Sequence, residues 1–150
     1  VIFLGLLQVM YTLTVDGDVT HPLKLGIDDL RKLPTETVVF TEHGGQRKTY
    51  RGPLLIDVLG QAGVAIAEHV RGKALGVAVD VIASDGYSVV LGLGEVEPSI
   101  SGRTILVAYA ADDQPLGPGV GPVRLIIQDD KKQARAERMV AEIKVVDLAK

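Results

Sequence analysis

Short apolar runs rich in β-branched residues, each closed by Gly, Pro or Asp, constrain this chain more than any other feature. Val, Ile and Leu supply 21, 10 and 18 of its 150 residues, and 17 Gly and 7 Pro stand between the runs they form. That spacing describes strands joined by turns, and it excludes a helical bundle or a coiled coil. With no Trp, four Tyr and two Phe, the core has to be aliphatic.

Along the chain, Tyr11 to Val15 alternates with period two, as a half-buried strand does. Asp16-Gly17-Asp18 reads as a hairpin turn, with Val19 to Leu25 as the returning strand. Ile27 to Leu33 places apolar residues three apart, with acids early and bases late, which is a short helix stopped by Pro34. Thr37–Thr41 and Arg47–Tyr50 are strands about the turn His43-Gly44-Gly45-Gln46. The spacing predicts a helix over Leu54–Ala62, with Pro53 in its first turn and Gly63 in a left-handed conformation beyond it. Further strands are Leu75–Ala83, Tyr87–Leu93, Ile105–Ala110, Val123–Ile127 and Ile143–Val146, with turns at Ser84-Asp85-Gly86 and Asp112 to Pro115. The fold class is therefore α+β, with mixed β-sheets and short helices, in one domain over residues 11–147. Residues 1–10 form an apolar segment that reads as a first strand, a signal-peptide remnant or an artificial end.

Several function classes fall away on composition. A net charge of −3 gives the molecule no electrostatic reason to seek nucleic acid, and scarce aromatics leave no platform for stacking single-stranded bases. The absence of Cys removes disulfides, thiolate nucleophiles and thiolate metal sites. The longest apolar stretch, Val1 to Val9, is too short to span a bilayer. The three histidines, His21, His43 and His69, lack metal-ligand spacing and read as surface residues. Glu95 and Glu97 read as a solvated acidic patch, and no Ser sits in a Gly-x-Ser-x-Gly elbow.

Two constellations remain. Gly117-Pro118-Gly119-Val120-Gly121-Pro122 is neither the dinucleotide fingerprint nor the Walker loop, because a strand follows where those motifs need a helix. Its amides, with Arg124 just beyond, suit an anion; the alternative is an ordinary loop with Arg124 in a salt bridge. Arg47, Lys48 and Arg51 form either a basic rim for the same anion or a charged strand edge exposed to water.

Taken in order, these pieces resemble a known family. Leu13-Thr14-Val15-Asp16-Gly17, Ile27-Asp28-Asp29-Leu30 with Leu33-Pro34, and Tyr50-Arg51-Gly52-Pro53-Leu54-Leu55 are followed by Ser84-Asp85-Gly86-Tyr87. Ile105 to Tyr109, Gln114-Pro115-Leu116 and Gly121-Pro122-Val123-Arg124-Leu125-Ile126 complete the series. It resembles the molybdopterin-binding domain of the sulfite oxidase superfamily, which includes a periplasmic methionine sulfoxide reductase subunit and plant nitrate reductase. The resemblance implies a fold like the middle domain of sulfite oxidase, holding a mononuclear molybdenum–pterin cofactor, and a periplasmic or secreted location.

In that family a cysteine on the loop after the third strand ligates molybdenum. Here the loop reads Phe40-Thr41-Glu42-His43-Gly44-Gly45-Gln46-Arg47, and the ligand position falls near Thr41 or Glu42. Neither is Cys, and a hard oxygen stands where a soft thiolate is expected. Some molybdenum enzymes use an oxygen ligand, which keeps Glu42 a candidate. By resemblance the cofactor-binding residues are Thr41, Glu42, His43, Arg47, Arg51, Tyr87, Tyr109 and Arg124. The expectation is a stand-alone, non-catalytic relative that carries no stoichiometric metal and binds a pterin-like or other small anionic ligand, or a partner protein. The alternatives are a genuine small molybdenum–pterin oxidoreductase and a structural module whose cleft is filled.

Overall fold

A computed structural model describes residues 10–150, so the alternatives for the apolar N-terminal segment lie almost wholly outside the described residues. The chain runs β1 (Leu13–Gly17), β2 (Leu23–Leu25), α1 (Ile27–Arg31), β3 (Glu36–Thr41), β4 (Arg47–Gly52) and α2 (Leu55–Gln61). Then come β5 (Val77–Ala83), β6 (Ser88–Gly92), α3 (Leu93–Val96), α4 (Pro98–Ser101) and β7 (Ile105–Ala108). It ends with β8 (Ala110–Ala111), β9 (Gln114–Pro115), β10 (Arg124–Ile127) and β11 (Val140–Asp147). This is the expected α+β class with mixed sheets and short helices. Among the described residues no helix is long and apolar enough to cross a membrane.

Three sheets are stacked around two cores. A five-stranded sheet has the order β2-β1-β11-β5-β6, parallel only between β1 and β11. A four-stranded antiparallel sheet has the order β3-β4-β8-β9, and β7 pairs with β10 between the two. Alternation along β5 sends Val79 and Val81 inward and leaves Asp80 and Ile82 on the outer face. The β7–β10 pair differs, because every one of its residues is buried. That is the continuous apolar pattern of strands covered on both faces. Ile105, Val107, Leu125 and Ile127 join the larger core with α2 and the five-stranded sheet. Leu106, Ala108 and Ile126 face the smaller core with Val38, Phe40 and Tyr50. Alternation from Ile126 puts Arg124 on this second face.

The four-stranded sheet is held to β7 by close backbone approach. The amides of Val107 and Tyr109 donate to the carbonyls of Pro53 and Arg51, at 2.9 and 3.0 Å. A Cβ at Gly52 would lie 2.2 Å from the Val107 carbonyl oxygen, so only glycine lets the strands meet there.

The structure moves several expected boundaries. Leu54 is extended and bridges to Leu106, so α2 starts one residue late and Pro53 lies before its first turn. Asp16 and Gly17 continue β1 beside β11, which shortens the returning strand to three residues. Glu95 and Glu97 do not form a solvated patch. Glu95 pairs with Arg135 and Arg103, while Glu97, 5% exposed, caps α4 and accepts the amides of Ser99 and Ala67. On α2, Leu55 and Leu59 are fully buried. Leu59→Ala is expected to cost about 2–5 kcal/mol in chemical denaturation, and a loss below about 1 kcal/mol would show that this helix face is not packed.

Candidate functional site

The β3–β4 hairpin returns on itself through Glu42 and Gln46, whose backbone groups bond at 2.6 Å, with Gly45 at φ +84°. This turn aims the Glu42 carboxylate back beneath the hairpin. Arg124 meets it from β10. One Arg124 nitrogen, Nη1, lies 3.0 and 3.1 Å from the two Glu42 oxygens and 2.7 Å from the Tyr50 hydroxyl oxygen. Nε donates to the Ala136 carbonyl at 3.1 Å. The Tyr50 hydroxyl donates to Glu42. The guanidinium also lies 5.5 Å from the ring centres of both Phe40 and Tyr50, which pack edge to face.

Arg124 is 2% exposed, so this is a buried charge with a dedicated partner. Burial alone would raise the Glu42 pKa, but the Tyr50 hydrogen bond and the Arg124 charge outweigh it and hold the carboxyl below its usual value. Burial and the adjacent carboxylate push Tyr50 up to about 12. The contribution of Glu42 to stability is therefore complete above the ordinary carboxylate range, and it is lost as pH falls through the lowered pKa.

Beside this network opens a cleft of about 330 Å³, lined by Tyr87, Gly119, Arg124, Gln133, Glu137 and Arg138 among others. Gly119 of the Gly117–Pro122 loop lines it, and the loop is tied to the adjoining segment by the Met139 amide on the Val120 carbonyl at 2.8 Å. Tyr87 is fixed by its hydroxyl on the Ala134 carbonyl at 2.8 Å. Gln133 reaches the Thr41 carbonyl at 3.4 Å and so links the cleft to the hairpin. Arg138 is exposed and makes no ion pair among the described residues. Glu137 is 2% exposed, and neither carboxyl oxygen has a hydrogen-bond partner among the described residues. Burial, with Asp80 and Asp85 nearby, pushes its pKa up to about 8 against the opposing Ala83 amide. Between the ordinary value and 8, the folded chain keeps a proton that the unfolded chain has released. Glu137 therefore costs stability progressively as pH rises across that window.

The residues expected to form one site are divided. Glu42, Tyr87 and Arg124 belong to the network and cleft just described, with the Thr41 backbone at the border. Arg51 and Tyr109 line a separate cleft with Arg31. Alternation explains the split: Tyr50 faces the core, so its neighbour Arg51 points away and pairs with Asp113 at 3.5 Å. Tyr109 sits under the Arg31 guanidinium, 5.6 Å from ring centre to charge. His43 and Arg47 are exposed on the hairpin, and His21 and His69 are exposed as well. Gln133, Glu137 and Arg138 were not expected. Their only trace in the sequence is the charged segment between the last two strands.

The molybdenum–pterin group implied by the resemblance is matched only in part. At Glu42, one of the two positions the resemblance gives for the ligand, both oxygens are engaged by Arg124 and Tyr50, and no thiolate exists to replace them. Among the described residues no group of three or more His, Cys, Asp or Glu is placed to hold a metal ion. The donors do not fit molybdenum. The cleft has Arg138 and Gly119 of the loop together in its lining. Removing Arg124 strands Glu42 without its counter-charge, so Arg124→Met is expected to cost about 3–5 kcal/mol in urea denaturation. Glu42→Leu in the same chain should restore at least half of that loss. Simple additivity of the two changes would show that the pair is not coupled.

Comparison with known proteins agrees with this architecture. A sequence model of the oxidoreductase molybdopterin binding domain matches residues 6–149. The fold is similar to that of the sulfane dehydrogenase SoxCD from Paracoccus pantotrophus, with a TM-score of 0.68 and 17% identity over 91% of this chain. The present chain spans 38% of that chain's length. A search of curated proteins finds no match. With nearly the whole sequence matched, the chain belongs to the oxidoreductase molybdopterin-binding domain family.

Proposed function

We propose that this chain is a non-catalytic member of its family that binds a pterin-like or other small anionic ligand in the cleft beside Arg124. One observation carries the reading: the position that would hold the metal is closed by an internal ion pair, while the adjoining cleft stays open. An enzyme of this family needs both parts, and a binding protein needs only the second.

Within the cleft, Arg138 supplies a mobile charge that does not have to leave another partner. Gly119 brings a backbone amide to the cleft, and Tyr87 is held in its wall by the Ala134 carbonyl. Arg124 contributes shape and positive potential, with Nη1 committed to Glu42 and Tyr50 and Nε to the Ala136 carbonyl. Charge-assisted hydrogen bonds of this kind contribute about 1.5–3 kcal/mol each when shielded from water.

Arg138 is therefore a cleaner probe of binding than Arg124, whose removal disturbs the core. In calorimetric titration with hydroxymethylpterin phosphate, Arg138→Ala is expected to weaken binding roughly ten- to hundredfold, with the melting temperature unchanged. Arg138→Lys should recover part of the loss, since a point charge replaces a two-pronged donor. Equal affinity in all three proteins, or no binding by the wild type, would contradict the assignment.

A further inference from the structure

Glu137 has no structural employment. It lies between Ala136, which holds Arg124 through its carbonyl, and Arg138, which faces the cleft. Its own backbone carbonyl accepts the Leu125 amide at 2.9 Å, so the position is fixed by the β10 edge. Its carboxyl group, in contrast, makes no hydrogen bond among the described residues: the nearby Ala83 amide is spent on the Tyr87 carbonyl at 2.8 Å, and both oxygens are buried. A hydrophobic side chain of similar length would fill the same space without stranding two acceptors. Residues that break a local rule without compensation in the fold concentrate at binding sites. Glu137 lines the cleft although its oxygens are turned into the interior, so a rotation of this side chain is what brings them to a ligand there.

Resting on the ligand-binding reading above, we infer that Glu137 is the cleft's specificity residue, accepting a paired N–H edge on the ligand. Such an edge occurs in guanidines, amidines and aminopyrimidinones, where two adjacent N–H groups match the two oxygens of one carboxylate. The ligand then carries two features: an anionic group for Arg138 and the Gly119 loop, and a donor edge for Glu137. A carboxylate is needed to accept two N–H bonds at once, and a carboxylic acid offers only part of that capacity.

Binding is consequently coupled to a proton. In the free protein Glu137 faces Asp80 on β5 and Asp85 in the following turn, and its pKa stands near 8. The nearby positive charges are Arg138, the next residue, and Arg124, which Glu42 neutralises. At neutral pH the free side chain is mostly protonated, and docking of the N–H edge releases that proton to solvent. Affinity should rise with pH up to about 8 and level off above it.

The test titrates the intact chain with hydroxymethylpterin phosphate, guanidinoethyl phosphate and benzyl phosphate, the last having the anion but no N–H edge. The wild type should prefer at least one N–H-bearing phosphate over benzyl phosphate by tenfold or more, and the larger preference names the head group. Calorimetry in buffers of different ionisation enthalpy should show release of close to one proton per ligand at neutral pH, for that phosphate alone. Glu137→Met should erase both the preference and the proton release while keeping benzyl phosphate affinity within about twofold. It should also raise the melting temperature, because the stranded acceptors are gone. Retained preference in Glu137→Met, or equal wild-type affinity for all three phosphates, would overturn the role of Glu137 and leave the anion site standing. Failure of the wild type to bind any of them would overturn both.

Discussion

A guanidinium in the middle of the protein sets the terms for everything around it. Arg124 projects from a strand whose residues are all buried, into a core shared with Phe40, Tyr50 and Ile126. A charge in that setting is costly unless it is matched and hydrogen-bonded. Glu42 and the Tyr50 hydroxyl, both from the β3–β4 hairpin, and the Ala136 carbonyl, from the segment before β11, do the matching. The ion pair thus fixes the β3–β4 hairpin, the β10 strand and the segment before β11 relative to one another. Those are the parts that border the cleft.

On the proposed reading, this arrangement would let a relative of molybdenum-binding domains do without the metal at that position. Where a thiolate would face outward to a ligand, Glu42 turns inward to a counter-charge. Glu42 completes an internal network with Tyr50 and Arg124, so the loop keeps its shape for a structural reason. Buried ion pairs contribute little net stability against an apolar alternative, but they penalise any arrangement that separates them. Their effect here is positional, and the cleft benefits from it.

Much of the fold was legible in the residues. Period-two alternation marked β1, and apolar runs closed by turns marked β5, β7 and β10 as strands. Gly63 was recognisable as the left-handed residue after α2, and its φ is +86°. What escaped was non-local. Nothing near Glu97 reveals that its carboxylate caps a four-residue helix and an amide thirty residues earlier. The partnership of Glu42 and Arg124 joins residues eighty-two apart, so the salt-bridged and anion-binding readings of Arg124 stayed equally open until the sheets were assembled. Arg51 and Tyr109 were grouped with Arg124 by resemblance, but strand alternation turned them to another cleft. Glu137 and Arg138 stand in a charged segment between the last two strands, where no periodicity exists from which burial could be read.

The central claim is that the metal-ligand position has become one half of an internal ion pair. Elemental analysis of the protein, purified from a molybdenum-replete host that makes the pterin cofactor, tests it most directly. With Glu42 committed to Arg124 and Tyr50, molybdenum should be far below one equivalent per chain, whether or not an organic phosphate is retained. Molybdenum near one equivalent, with an organic phosphate in equal amount, would contradict the account and make this chain a molybdenum protein.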